Sequence, residues 1–122
     1  MNVIHLIIHG RILAKKNSRL PYMNKGRVLN TAKYHDWEKD ACLQLLQYKG
    51  RNLDNIELQF EFYMPDNRRT DLDNKISTLL DILAGKMHVI KDDAWQNTPK
   101  YSVEAKGIDR KNPRVEIWIR YD

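Results

Sequence analysis

No acidic residue precedes Asp36, whereas Arg11, Lys15, Lys16, Arg19, Lys25, Arg27 and Lys33 all do. Cysteine is nearly missing as well. Cys42 stands alone, which excludes an internal disulfide framework and points to a reducing compartment such as the cytoplasm. No apolar run approaches the roughly 18 residues of a membrane span. The apolar opening at 2–9 has no basic stretch before it and no small-residue cleavage site after it, so it reads as a strand and not a leader. His5, His9, His35 and His88 fall in no zinc-ligand spacing and are read as structural. Repeats, low-complexity tracts and linkers are absent too, so residues 1–122 are expected to form one domain.

What is present is an ordinary globular composition with an uneven charge. Apolar residues at 42% and charged residues at 30% suit a chain that buries a core without metal or disulfide staples. The net charge is +5, from 21 Lys and Arg against 16 Asp and Glu. Seven of those cations precede the first acid, so the excess lies in one N-terminal segment. Such a segment is expected of a surface that contacts a polyanion; a plain solvated loop is the alternative.

Hydrophobic periodicity predicts the order β-α-β-α-β-β, an α+β domain with two helices on one mixed sheet. Residues 2–9 read as a strand, expected to be central. Residues 10–30 read as irregular, broken by Gly10, Asn17-Ser18, Pro21, Asn24 and Gly26. From Thr31 the pattern is helical, with Tyr34, Trp37, Ala41, Leu45 and Tyr48 on one face and Gly50 at the end. Strict alternation at 56–64 predicts a half-buried strand stopped by Pro65. A second helix is predicted over 71–84, with Leu72, Ile76, Leu79, Leu80 and Leu83 as its stripe and Gly85 as its cap. Two strands, at 101–106 and 115–121, close the chain as a hairpin, with Trp118 on the outer face of the last.

Candidate chemistry lies in the acids. Asp71 and Asp73 follow Arg68 and Arg69 at the entrance of the second helix, and Asp92 and Asp93 come twenty residues later. Acids in a first turn complement the helix dipole, and Thr70 with Asp73 resembles a capping box, so one acid alone would be read as structural. Asp92 and Asp93 likewise fit a polar turn. Two acid pairs from separated segments, with arginines alongside, suit a hard cation such as Mg²⁺ or Mn²⁺, which takes one or two carboxylates plus substrate phosphate. Phosphodiester cleavage uses such a cation to polarise the phosphoryl oxygen and activate water, while Lys or Arg offsets developing charge. Lys75, four after Asp71, has the plainer reading of an i,i+4 ion pair. Trp95, next to the acid pair, is expected either in the core or stacked on an unpaired base.

The run from Met64 to Asn74, then Leu79-Leu80-Asp81-Ile82-Leu83, then Asp92-Asp93-Ala94, resembles the RusA-type Holliday junction resolvases. The resemblance takes in Lys16-Asn17-Ser18, Gly26-Arg27, the helix of Tyr34, and Lys106, and so nearly the whole chain. It implies a Mg²⁺- or Mn²⁺-dependent homodimeric endonuclease of the bacterial or phage-infected cytoplasm, which binds four-way DNA junctions and nicks them in pairs. Asp71, Asp73 and Asp93 match the family's essential acids, with Asp92 a weaker metal candidate. Lys15, Lys16, Arg19, Arg27, Arg68, Arg69, Lys75 and Lys106 are the candidate DNA contacts. Three departures stand out. Ser77 holds the place of the family's lysine four after the second aspartate; Thr70 stands where an arginine often precedes the first; and the stretch from Asp81 to Asp93 is one residue longer. Two other readings stay open: a non-catalytic nucleic-acid-binding module, and a nuclease for another branched DNA.

Overall fold

The computed structural model describes residues 1–15, 19–24 and 27–122, with no side chain between 16 and 30. Strands β1 (Asn2–His9), β4 (Glu57–Met64), β5 (Lys100–Ile108) and β6 (Arg114–Tyr121) form one sheet in the order β1-β6-β4-β5. β2 (Arg19–Asn24) and β3 (Arg27–Asn30) pair as a separate antiparallel ribbon. Helices α1 (Ala32–Gln44) and α2 (Leu72–Leu80) supply the α layer of this α+β fold. No helix among the described residues is long and apolar enough to cross a membrane.

The period-2 pattern decides which side of each strand is buried. Ile4, Leu6 and Ile8 of β1 point inward with Leu58, Phe60 and Phe62 of β4 and Val115, Ile117 and Ile119 of β6. They join one core with Ala41 and Leu45 from the first helical segment and Ile76, Leu79, Ile82 and Leu83 from the second. β6 runs antiparallel to both of its neighbours, whereas β5 runs parallel to β4. A parallel neighbour needs a crossover, and α2 with its following turn provides it.

Thr31 caps α1, its hydroxyl accepting the Tyr34 N–H at 3.2 Å. α1 gives way to a short 3₁₀ turn, Leu46–Tyr48, and Gly50 then takes φ +79, a left-handed conformation that suits glycine. α2 starts from Asp71 and widens at its end into a π-type turn, Asp81–Lys86.

Several expectations need correction. β1 is an edge strand and not a central one, because β6 is the one strand it pairs with in the sheet. The stretch read as irregular contains the β2–β3 ribbon; Pro21 belongs to it, as a two-stranded ribbon tolerates a missing donor. β5 and β6 do not form a hairpin, since β4 lies between them. Gly85 does not cap α2. The widened turn carries it past that role, and the left-handed residue that follows is His88, with φ 49. No capping box forms either: the Asp71 side chain makes no cap bond, and Asp73 Oδ1 accepts the N–H of Asn74 at 2.9 Å.

Leu79 is fully buried and ties the last turn of α2 into the core. Leu79→Ala should cost about 2–5 kcal/mol of stability, as for other buried leucine truncations. Urea unfolding checks this, and a loss well under 1 kcal/mol would show that α2 is held in place from elsewhere.

Candidate active site

The two sides of α2 meet different surroundings. On one side lies the segment after β1. The Lys15 N–H donates to Thr78 Oγ1 at 2.9 Å, and that hydroxyl donates to the Asn74 carbonyl at 3.1 Å. The buried Lys75 donates its Nζ to the Ile12 carbonyl. On the other side, Leu72, Asp73, Ile76, Ser77 and Leu80 border a groove of about 410 Å³, closed by Tyr101 and Val103 of β5 and by Asp93. Lys75 and Ser77 line different cavities, as the ~200° between positions two apart on a helix requires. Lys75 forms no ion pair with Asp71. Burial, followed by the charge of Arg11, lowers its pKa.

A tight turn before β5 presents Asp92 and Asp93. The Thr98 hydroxyl, itself buried, donates to the Asp92 carbonyl at 2.8 Å, and the N–H groups of Asn97 and Thr98 donate to the Ala94 carbonyl. The Asp93 N–H donates to Asp92 Oδ1 at 2.7 Å. The Asp93 carboxyl is pushed above the usual carboxylate range, first by lost hydration in the groove. A shared hydrogen bond with Asp92 and the charges of Asp92 and Asp81 act in the same direction.

Asp73 and Asp93 thus line one groove, and Asp92 and Asp81 flank Asp93 in the adjoining cleft. Asp71 is exposed at the helix start and its side chain makes no cap bond. The three acids Asp71, Asp73 and Asp93 are not drawn into one cluster, and among the described residues no group of three acids, His or Cys is poised around a point. At ~1.5 Å per residue, Asp73 lies about 12 Å along the helix from Asp81, the neighbour of Asp93. Asp81 is the acid that sequence reasoning missed. The signal was there: Asp73, Ser77 and Asp81 recur every four residues, which keeps them on one side of the helix.

Among the basic candidates, Arg68 and Arg69 line a second groove that shares Leu72 with the first. Asp66 anchors this corner, accepting from Arg11 and from the Arg68 N–H and side chain; these arginines hold its carboxyl far below the usual range. Lys106 pairs with Glu104 at 3.1 Å, which raises its pKa. Lys15 is exposed. Lys16 lies outside the described residues, and Arg19 and Arg27 are placed only as positions in β2 and β3. Trp95 is 76% exposed, so it is not a core residue.

The molecule is thus a small α+β domain with an acid-lined groove between a crossover helix and an edge strand. The comparisons narrow the class. The family model for endodeoxyribonuclease RusA matches residues 9–120, and the chain belongs to that family. A crossover junction endodeoxyribonuclease RusA from Aquifex aeolicus (strain VF5) is 31% identical over 80 residues, covering 64% of this chain. The match spans 63% of that protein's length.

Two measurements test the site. If the exposed Trp95 stacks on an unpaired base, Trp95→Ala should leave stability unchanged and weaken binding to DNA with unpaired bases by about 1–3 kcal/mol, the scale of one base–aromatic stack; equal affinity in a fluorescence-anisotropy titration would rule the stack out. The raised pKa of Asp93 also has a sign. Its protonated form is favoured in the fold, so the stability it contributes is present at low pH and is lost as pH rises through the raised pKa. Asp93→Asn should therefore match the wild type in acid and exceed it in thermal stability at neutral pH.

Proposed function

We propose that this chain is a divalent-metal-dependent endonuclease that resolves four-way DNA junctions, working as a homodimer that makes paired nicks. The observation that carries the reading is the set of acids along one groove, Asp73 and Asp93 with Asp71 at the helix entrance, in a chain of the RusA family. No Lys or Arg among the described residues pairs with any of the three. Asp93 in particular, with no basic partner and pushed towards protonation, marks a place where a cation is wanted.

In chemistry the donor set fits a hard cation, being all oxygen with no thiolate or imidazole, while in position the acids are spread along the groove and not gathered around one point. Asp71, Asp73 and Asp93 would hold it, with Asp92 beside them. Bound Mg²⁺ or Mn²⁺ would supply Lewis acidity towards a phosphoryl oxygen and lower the pKa of a water. The chain's own residues do the rest. Arg68 and Arg69, on the groove that adjoins through Leu72, place a strand's phosphates beside the acids. Tyr101 and Val103, exposed on the β5 wall, give the groove an apolar side. The Thr98 bond to the Asp92 carbonyl keeps the acid pair presented.

A second reading, a binding module whose acids are only turn and helix-entrance residues, draws on the absence of a three-acid cluster among the described residues. Cleavage of a synthetic four-way junction separates the two. Asp73→Asn and Asp93→Asn should each abolish cutting in Mg²⁺ and keep junction binding, which tightens as a charge facing phosphate is removed. Retained cutting in either variant, or cutting that persists in chelator, would sink the enzyme reading.

The dimer proposal rests on the uncovered outer side of the sheet. There Trp118 is half-buried and lies flat on His5, with ring centroids 4.4 Å apart and planes 8° apart, and His5 Nε2 sits 2.8 Å from Glu116 Oε1. Two cuts related by near two-fold symmetry ask for two equivalent sites, which a closed dimer supplies. Analytical ultracentrifugation should give about twice the 14.5 kDa of one chain; a monomer that still cuts both strands would contradict it.

A further inference from the structure

The cavity on the far side of α2 from the acid groove holds a concentration of positive charge that the acids do not explain. It has about 330 Å³ of space, bordered by the chain at Ile12–Ala14, the opening of α1 and the loop before α2. Arg11, Lys33 and Lys75 line it, together with Thr31 and Thr70. No carboxylate does. The stretch 16–30 contains no acid either.

Lys75 is the telling residue. It is only 6% exposed, yet its ammonium meets a backbone carbonyl, that of Ile12, and no carboxylate among the described residues pairs with it. Burying a cation is costly unless an anion compensates it, and a neutral carbonyl does so only in part. Arg11 adds a second positive charge on the same wall, partly balanced from behind by Asp66. Lys33, exposed in the first turn of α1, adds a third. The hydroxyls keep donors to spend. Thr31 Oγ1 accepts from the Tyr34 N–H, which leaves its own O–H free to point elsewhere, and Thr70 is exposed. A fork, two ammonium groups and two hydroxyls suit a compact, multiply accepting anion such as a phosphate diester.

We propose that Arg11, Lys33 and Lys75, with the Thr31 and Thr70 hydroxyls, form a phosphate subsite that holds a DNA backbone one helix-width from the cutting groove. The identification of the phosphate as DNA's rests on the nuclease reading above; the anion site itself does not. One strand would lie over the acids and a neighbouring strand's phosphate would sit behind α2, with the helix as the spacer between them.

The test uses the full chain in chelator, so that nothing depends on cleavage. Inorganic phosphate is titrated at constant ionic strength against a chloride control, and backbone amide shifts are followed by NMR. Shifts should gather at residues 11–14, 31–33 and 70–71. They should fall away in Lys33→Gln, an exposed change that spares the fold, and in Lys75→Met, but not in Lys49→Gln, an exposed lysine outside the cavity. Phosphate shifts no larger than chloride's, or shifts that map elsewhere, would overturn the site. A second arm measures junction-DNA affinity against salt. Lys33→Gln should flatten the slope of log K by about 0.9, one phosphate contact, and Lys49→Gln should leave it alone. If phosphate binds here while the DNA slope is unchanged, the site takes free phosphate and the DNA assignment falls. A chain that fails to cut junctions but passes both arms would lose the nuclease reading and keep this one.

Discussion

The parallel pairing of β4 with β5 is the constraint on which the rest of the molecule hangs. Antiparallel neighbours can be joined by a tight turn, but parallel ones need the chain carried back across the sheet. Here the carrier is α2 with its widened end, and the crossing brings Asp71 and Asp73 to one end of β5 and Asp92 and Asp93 to the other. β5 is also the outermost strand, and all nine of its residues are exposed. A single helix over such an edge covers it incompletely. The uncovered strip between α2 and β5 is the acid groove, so the groove is a product of topology before it is a product of any side chain.

α2 then sorts charge. Its Lys75 and Thr78 side is gripped by the segment after β1, while its Asp73, Ser77 and Asp81 side is left to the groove and the cleft beside it. A helix is about 10 Å across with its side chains, so cations and carboxylates are held apart by one element and do not neutralise one another. A domain that handles a polyanion through a cation needs this separation. If Lys75 reached the acids, ion pairing would consume both.

What could be read from the residues alone follows from how local each signal is. The strict alternation of β4 and β6 and the stripe of α2 depend on burial within one element, and the α+β class followed from them. The edge position of β1 was hidden because alternation shows which side of a strand is buried, not how many neighbours the strand has. The separation of β5 from β6 was hidden because pairing is non-local, and a short connection invites a hairpin. The acids of the groove were legible as motifs. Their distribution along α2 was not, since it depends on where the turn before β5 lands. Asp81 escaped notice although its four-residue spacing from Ser77 and Asp73 was in plain view, because the search followed pairs of acids close in sequence.

Asp66 and Asp93 show how the same side chain is given opposite work. Asp66 accepts hydrogen bonds from two arginines and from a backbone N–H, and its pKa falls. Its charge is satisfied within the chain, so it contributes to fixing the corner that carries Arg68, and it has nothing left for a ligand. That contribution holds at neutral pH and disappears in acid, as the carboxyl protonates and lets its arginines go. Asp93 has other acids beside it and no cation paired with it, Lys91 of the same cleft being paired with Asp54, and its pKa rises. Its charge is unsatisfied in the folded chain, and the fold is less stable for carrying it at neutral pH. A carboxylate kept at such a cost is accounted for once something positive from outside arrives. Lys75 is the mirror case on the other side of the helix, a buried cation with no acid. The two charges without an ion-pair partner, of opposite sign and on opposite sides of α2, suit the proposed ligand, which brings its own cation to one side and its own anion to the other. A metal-bearing phosphodiester backbone has that character.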